Sequence, residues 1–425
     1  LVKEQGETNM NQSHVRVLVI GAGLGGLCLA QGLRKAGVDV AVFERDAGLS
    51  TRTQGHRIHI DSRGEQALRE CLPPSLYNLF LATRGQPSKG ISVFSIVDSR
   101  LEERVTQPFP EGGSDEFITI GSAVDRLTLR QILLAGLDDI VHFNKAFARY
   151  EQQEDGRVCA YFTDGTRASG DVLVAADGVG SRIREQFLPH AQVLDTGLRW
   201  LGGKTLLTDE IIPLLPAQMH EKFAMVSGPH PSMMLGCVWF RTPPNEAAAQ
   251  FWPALRFHHT EDYLLWGLLG SREQFSIPDE DLQAMESPDL QRTAVQLTKD
   301  WYPALSPLMQ QADPEESFFL TMRRCVPMEH WHTSNITLLG DAIHVMPANG
   351  SGANSALRDA SQLSRSLIAV ASQGMPLHQA LHDYEVEMLR VGFGAVRTSL
   401  QGMQRRELGI PFTPDQGARQ GGRGN

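Results

Sequence analysis

Apolar positions along the chain follow two rhythms. Short, nearly continuous apolar runs suit strands buried on both faces of a parallel sheet. They occur at 15–20 (VRVLVI), 38–43 (VDVAVF), 171–176 (DVLVAA) and 336–339 (ITLL). Elsewhere the spacing is helical. Leu27, Ala30 and Leu33 share a face ahead of Gly37, and Leu357, Ala360, Leu363, Leu367 and Val370 share another over 355–371. This alternation predicts a doubly wound α/β core. A middle region reads differently. The runs 233–240 and 263–269, punctuated by Pro213, Pro216, Pro229, Pro231, Pro243 and Pro244, predict antiparallel strands. Residues 279–300 predict one or two surface helices, and 381–400 a C-terminal helix. Residues 411–425, rich in glycine with no apolar run, predict a disordered end.

Glycines mark where the core could hold a ligand. The first run enters Gly21-Ala-Gly23-Leu24-Gly25-Gly26, a GxGxxG turn that opens a helix, and the second run ends at Glu44-Arg45. Such glycines let backbone amides approach a pyrophosphate at a helix N-terminus, while the acid about 20 residues on accepts ribose hydroxyls. The motif alone is weak. Strand, turn, helix, strand and acid in this order make it specific for a dinucleotide, with NAD(P) and FAD both open.

Two later signatures favour FAD. One run ends in Asp177-Gly-Val-Gly-Ser-Arg-Ile-Arg184. Another ends in Gly340-Asp341, followed by Pro347-Ala-Asn-Gly350-Ser-Gly352-Ala353-Asn354 and a helical segment. A second glycine turn at a helix N-terminus is superfluous in a domain that binds NAD alone. A flavin can use it: Asp341 suits ribitol hydroxyls, and the amides of Gly352, Ala353 and Asn354 suit the ring of an anionic reduced flavin.

Taken together, the GAGLGG turn with Glu44-Arg45, the segment 177–184 and the segment 340–354 resemble the class A FAD monooxygenases. This is the family of 4-hydroxybenzoate hydroxylase and the tetracycline-inactivating hydroxylases. The resemblance spans roughly 15–60, 120–185 and 325–370, with one residue fewer between His344 and Asn354 than in that family. It implies that Arg126, in VDRLTLR, lies along the cofactor and that Arg52 belongs to a loop near the flavin. It implies a discontinuous Rossmann-type FAD-binding domain (13–85, 113–187 and 328–408) and an inserted substrate domain on a mostly antiparallel sheet (86–112 and 188–327), with 409–425 a disordered tail. The added C-terminal domain of the larger hydroxylases is not expected. The implied activity is NAD(P)H-dependent hydroxylation or epoxidation of a hydrophobic aromatic or polycyclic molecule through a flavin C4a-hydroperoxide. NADPH or NADH would dock transiently, since no second GxGxxG unit is present.

Other readings of the same residues stay open. One is a flavin reductase without oxygen transfer, another a binding protein on the same scaffold. A halogenase is disfavoured because WxWxIP is missing. No catalytic acid or base stands out. His56 and His59 flank Arg57 in a stretch read as a solvated loop, and His344 suits a structural hydrogen bond. Phe223, Met225, Met233, Met234, Trp239, Phe240 and Trp266 are candidates to line the substrate pocket.

Composition narrows the partners. A net charge of -10 over 425 residues argues against a nucleic-acid surface. Five scattered cysteines without CxxC spacing offer neither zinc site nor disulfide framework. The polar stretch 1–13 has no signal core, and glycines interrupt the most apolar window, 15–33. A cytosolic monomer or homodimer without a membrane span is expected.

Overall fold

The computed structural model describes residues 15–49, 56–97, 100–108, 121–227, 231–258, 260–299, 305–347 and 350–407. The four apolar runs form strands of one parallel sheet. Its order is Ile336–Leu338, Val172–Ala175, Arg16–Ile20, Asp39–Phe43 and Val141–His142. Both faces are covered, so Val17, Leu18, Val19, Val172, Leu173 and Val174 are all fully buried.

The helix Leu24–Lys35 packs on this sheet, and the helix Gly352–Gln373 packs against it in turn. Gly32 permits that close crossing, since a Cβ there would stand 2.4 Å from Ser364 Oγ. The predicted face of the second helix is the buried one: Leu357, Ala360, Leu363, Leu367 and Val370 all lie in the core. The C-terminal helix is longer than its pattern suggested, Leu377–Glu407, and along it Ala380, Tyr384, Met388 and Val396 are buried in the parallel-sheet core. The 279–300 stretch resolves into Asp279–Ala284 and Ser287–Thr298.

A seven-stranded sheet forms the second layer, in the order Phe318–Cys325, Val193–Leu206, Tyr263–Ser271, Ser232–Val238, Phe223–Ser227, Gly90–Val97 and Arg100–Pro108. Every pairing is antiparallel except that of Phe223–Ser227 with Gly90–Val97. Its back face is a separate core of Leu201, Ala224, Val226, Met233, Leu235, Leu264 and Trp266, closed by the helices around Phe275, Leu290 and Met309. The 3.4 Å rise and two-residue period of each strand put the alternate residues on the opposite face. That front face looks toward the parallel-sheet layer: Val238, Tyr263 and Leu265 pack on Ala123.

A short ladder joins the layers. Arg57–Ile60 pairs antiparallel with Ser122–Asp125. This corrects the solvated-loop reading of 56–59. His56 is only 8% exposed, and Arg57 and His59 are half-buried. Three polar residues within four positions, His56, Arg57 and His59, hid the strand, because their partners come from distant elements rather than from water. A small meander, Phe147–Gln152, Val158–Phe162 and Arg167–Gly170, completes the fold. No helix among the described residues is long and apolar enough to cross a membrane.

Candidate active site

The first glycine turn is built by close packing. Gly21 has φ +110°, and a Cβ on it would lie 2.3 Å from Ala176 O. A Cβ on Gly26 would lie 2.1 Å from Gly21 O, and one on Gly25 2.7 Å from the Leu339 side chain. These three glycines therefore serve the fold, letting the helix Leu24–Lys35 sit hard against the sheet. Gly23 differs. As the N-cap it makes no side-chain cap, and an added Cβ would meet nothing within 4 Å. The helix thus presents the amides of Leu24 and its neighbours, with their partial positive charge, to an open cleft. Alanine should separate these roles. Gly26→Ala is expected to lose about 1–3 kcal/mol of stability through overpacking. Gly23→Ala should fold normally and weaken dinucleotide binding. Thermal melting and FAD titration of the two variants check this.

Glu44 ends the second strand and is buried. Its Oε2 accepts from Ala22 N at 2.7 Å, its Oε1 accepts from Asp46 N at 3.0 Å, and Arg130 Nη2 lies 3.6 Å from Oε2. The carboxylate thus braces the glycine turn and keeps lone pairs for sugar hydroxyls. Arg130, which sequence reasoning passed over, also donates Nε to Ala22 O at 2.8 Å. It sits one helical turn past Arg126 in Arg126–Leu134, and that i, i+4 spacing was the available signal. Arg45 points away into solvent, with Asp46 Oδ1 at 4.0 Å. Arg52 lies outside the described residues.

Arg126 faces the other glycine turn. Burial and the neighbouring Arg130 lower its pKa, and Asp341 acts against them. Asp341 opens onto the cleft, yet the walls around it thin its solvation enough to push the carboxyl up, with His344 and Arg126 opposing. A Cβ on Gly352 would stand 4.0 Å from Asp341 Oδ1, so the second turn closes over this carboxylate. The helix Gly352–Gln373 has no side-chain cap from Ser351, leaving its first amides, Gly352 to Asn354, as donors. The Asn354 side chain is otherwise engaged. Its Oδ1 accepts from Asp61 N at 3.0 Å, and its Nδ2 donates to His59 O and Gly350 O, each at 2.8 Å. It pins the turn to the linking strand. Residues 348–349 of this loop lie outside the described residues.

Beneath Asp341 lies a buried ion pair. His344 Nε2 is 2.5 Å from Asp359 Oδ2, which also accepts from Gly340 N at 3.0 Å. Burial favours the neutral imidazole, but Asp359 overrides it and raises the His344 pKa. On the far wall, Asp177 Oδ2 accepts from Arg182 N, and burial lifts its carboxyl. Arg184 is buried and donates to Ala342 O and Val179 O at 2.9 Å each, tying the 177–184 segment to Asp341's own helix.

The linking strand carries the cleft to the front of the large sheet. His59 Cβ lies 3.6 Å from the Cβ position of Gly350, and Arg57, on the same face of that strand, reaches Gly236 and Phe223. Of the aromatic and methionine candidates, Met233 and Trp266 belong to the back core. Phe223, Met225 and Met234 fall on the front by strand alternation. Trp239 donates its indole N–H to His220 O, and Phe240 packs beside Tyr263. Trp200, not foreseen, lies on the front over Gly202 and Gly267. A buried polar cluster borders this face. His56 contacts Glu316 through both ring nitrogens, Lys204 Nζ is 3.8 Å from Glu316, and Tyr263 donates to Asp125 Oδ2 at 2.9 Å.

These features fit FAD. Two uncapped helix N-termini, an acid bracing the first turn and a carboxylate beside the second turn all follow the carboxyl ends of the parallel strands, and an apolar sheet face lies across the linking strand from them. Glu44 and the first turn would hold the adenosine and pyrophosphate, and Asp341 with 352–354 the flavin end.

Comparison with known proteins agrees. Residues 270–399 match the model of an FAD binding domain, and 19–72 that of an NAD(P)-binding Rossmann-like domain. The crystal structure of a protein from Photorhabdus luminescens described as an FAD containing monooxygenase is 31% identical. It superposes with a TM-score of 0.77, over 94% of this chain and 100% of that one. The dual O-methyltransferase/FAD-dependent monooxygenase of Cercospora beticola is 31% identical over 88% of this chain and 44% of its own length. The chain thus spans less than half of such dual-function relatives. An FAD-dependent monooxygenase of Trichoderma harzianum is 26% identical, over 91% of this chain and 92% of that protein. With the Photorhabdus luminescens protein matched at 31% identity over its entire length and the site built as described, this chain belongs to the FAD-dependent monooxygenases.

Proposed function

We propose that this chain hydroxylates or epoxidises a hydrophobic aromatic or polycyclic small molecule, using O2 and NADPH or NADH. The observation that carries the reading is the placement of one apolar sheet face (Phe223, Met225, Met234, Trp200) across the linking strand from the flavin-side turn. When bound, FAD supplies the transfer of electrons from NAD(P)H and the activation of O2.

The chain's own residues do the rest. Gly23, Leu24 and Glu44 hold the adenosine and pyrophosphate end, on a turn whose shape Gly21, Gly25 and Gly26 set by close packing. Arg126, Asp177 and Asp341 line the middle, and the amides of Gly352, Ala353 and Asn354 stabilise negative charge on the reduced ring. Arg45 is the weakest of the expected contacts, since it faces solvent. The front face takes the flat substrate and excludes water from it.

A division into a cofactor domain (13–85, 113–187, 328–408) and a substrate domain (86–112, 188–327) is supported by the strands. Those of the parallel sheet fall in the first set and those of the seven-stranded sheet in the second. The helix Pro244–Phe251 blurs the boundary, burying Ala247 and Ala248 in the cofactor-side core. Cytosolic residence suits the five free cysteines.

Oxidation of NAD(P)H with candidate phenols, in air and without oxygen, tests the activity. The expected result is oxygen consumption and a product heavier by one oxygen atom. Turnover without oxygen would indicate a reductase instead, and no turnover a binding protein.

A further inference from the structure

Among the described residues, Arg57 is a cation without a counter-ion. Its guanidinium crosses from the linking strand to the front face and lies over Phe223, 5.3 Å from the ring centroid. Gly236 makes room for it, since a Cβ there would be 3.1 Å from Nε and 3.2 Å from Cδ. Nε is buried and has no acceptor, and among the described residues no carboxylate pairs with this side chain. The groups that act on its charge are Tyr263 and Cys237. Tyr263 commits its proton to Asp125.

The three fully buried arginines among the described residues have acceptors. Arg130 donates to Ala22 O and Leu49 O, Arg184 to Ala342 O and Val179 O, and Arg199 pairs with Asp195 and Asp279. Guanidinium stays charged in proteins, and burying it unpaired is strongly unfavourable. Stacking on Phe223 offsets part of that and supplies no acceptor. His59, on the same face, is pushed down to about 4 by burial and by Arg57, so it adds no second charge at neutral pH. A lone donor fork therefore stands at the edge of an apolar face, two residues from the strand's contact with the flavin-side turn.

We propose that Arg57 anchors an anionic oxygen, a carboxylate or an ionised phenol, on the edge of an otherwise apolar aromatic substrate. The proposal rests on the front face being the substrate site and makes Arg57 the residue that selects acidic aromatics and sets their orientation.

Calorimetric titration of the FAD-loaded protein tests it with three probes: 2-naphthoate, 2,4-dinitro-1-naphtholate and the neutral isostere 2-naphthamide. A charge-assisted pair is worth about 1.5–3 kcal/mol, so at least one anion should bind roughly 10- to 100-fold more tightly than the amide. Which anion does so identifies carboxylate or phenolate as the group recognised. Arg57→Met should bring anion and amide within about twofold, and Arg57→Lys should keep part of the preference. Gly236→Ala, which crowds the guanidinium, should lower anion affinity with Arg57 still present and serves if Arg57→Met does not fold. No binding of any probe, equal binding by the wild type, or an undiminished preference in Arg57→Met would overturn the proposal. Loss of FAD from Arg57→Met with an unchanged probe ratio would overturn it too. Anion preference without any oxygenated product would instead preserve Arg57's role and refute the monooxygenase reading.

Discussion

Asp341→Asn is expected to weaken FAD binding about 10- to 100-fold while leaving the apoprotein at least as stable as the wild type at pH 8. The first half follows from exchanging a charged acceptor for a neutral one where flavin hydroxyls donate, worth about 1.5–3 kcal/mol. The second follows from the sign of the pKa shift. Burial raises the Asp341 carboxyl even against Arg126 and His344. A raised acid favours the fold below its unfolded pKa and loses that contribution as pH rises through the folded value. Because Asp341 is exposed, solvent screens most of this, so at pH 8 the ionised group is no more than a small burden, which asparagine removes. Function and stability are opposed at this residue, as expected where a site is built for a ligand. FAD titration and apoprotein melting at pH 8 read the two halves separately. A variant that lost stability and kept its FAD would contradict the assignment.

The second large effect is expected one layer down. His344→Ala should destabilise the protein by about 3–5 kcal/mol, because it leaves Asp359 buried without its partner. Gly392 packs directly on the imidazole, where a Cβ would be 2.5 Å from His344 Cδ2, so the change also opens a cavity. The pH dependence has a definite sign. With its pKa raised in the fold, His344 stabilises fully below about pH 6.5, the ordinary histidine value, and progressively less as pH rises through the folded value. Denaturant unfolding should show the gap between wild type and variant shrinking from pH 6 to pH 9. Because Asp359 also holds Gly340 N, the variant should bind FAD more weakly too.

Much of this was legible along the chain, for reasons that can be located. The parallel strands announce themselves because burial on both faces demands unbroken apolar runs. The glycine turns do so because a backbone that approaches Ala176 O within 2.3 Å of a Cβ position tolerates nothing else. The helix Gly352–Gln373 shows its buried face directly in its spacing. What stayed hidden depends on partners far away in sequence. His56 reads as polar surface until Glu316, from the turn Pro314–Glu316 just before the large sheet's edge strand, is brought against it. Met233 and Met234 are indistinguishable in composition, and only strand register sends one to the back core and the other to the cleft. Arg57 and Arg126 carry the same charge. Their surroundings differ: Arg126 lies in the field of Asp341, whereas Arg57 stacks on an aromatic ring.

The central claim, that two distant glycine turns hold opposite ends of one flavin, is tested most directly by reconstitution. Titrating the purified apoprotein with FAD and recording visible absorbance should give one yellow equivalent per chain, retained through gel filtration. Gly23→Ala and Asp341→Asn should each lower the affinity, although one residue stands at the front of the chain and the other more than 300 positions later. A protein that stayed colourless, or that bound FAD with both variants unaffected, would contradict the account.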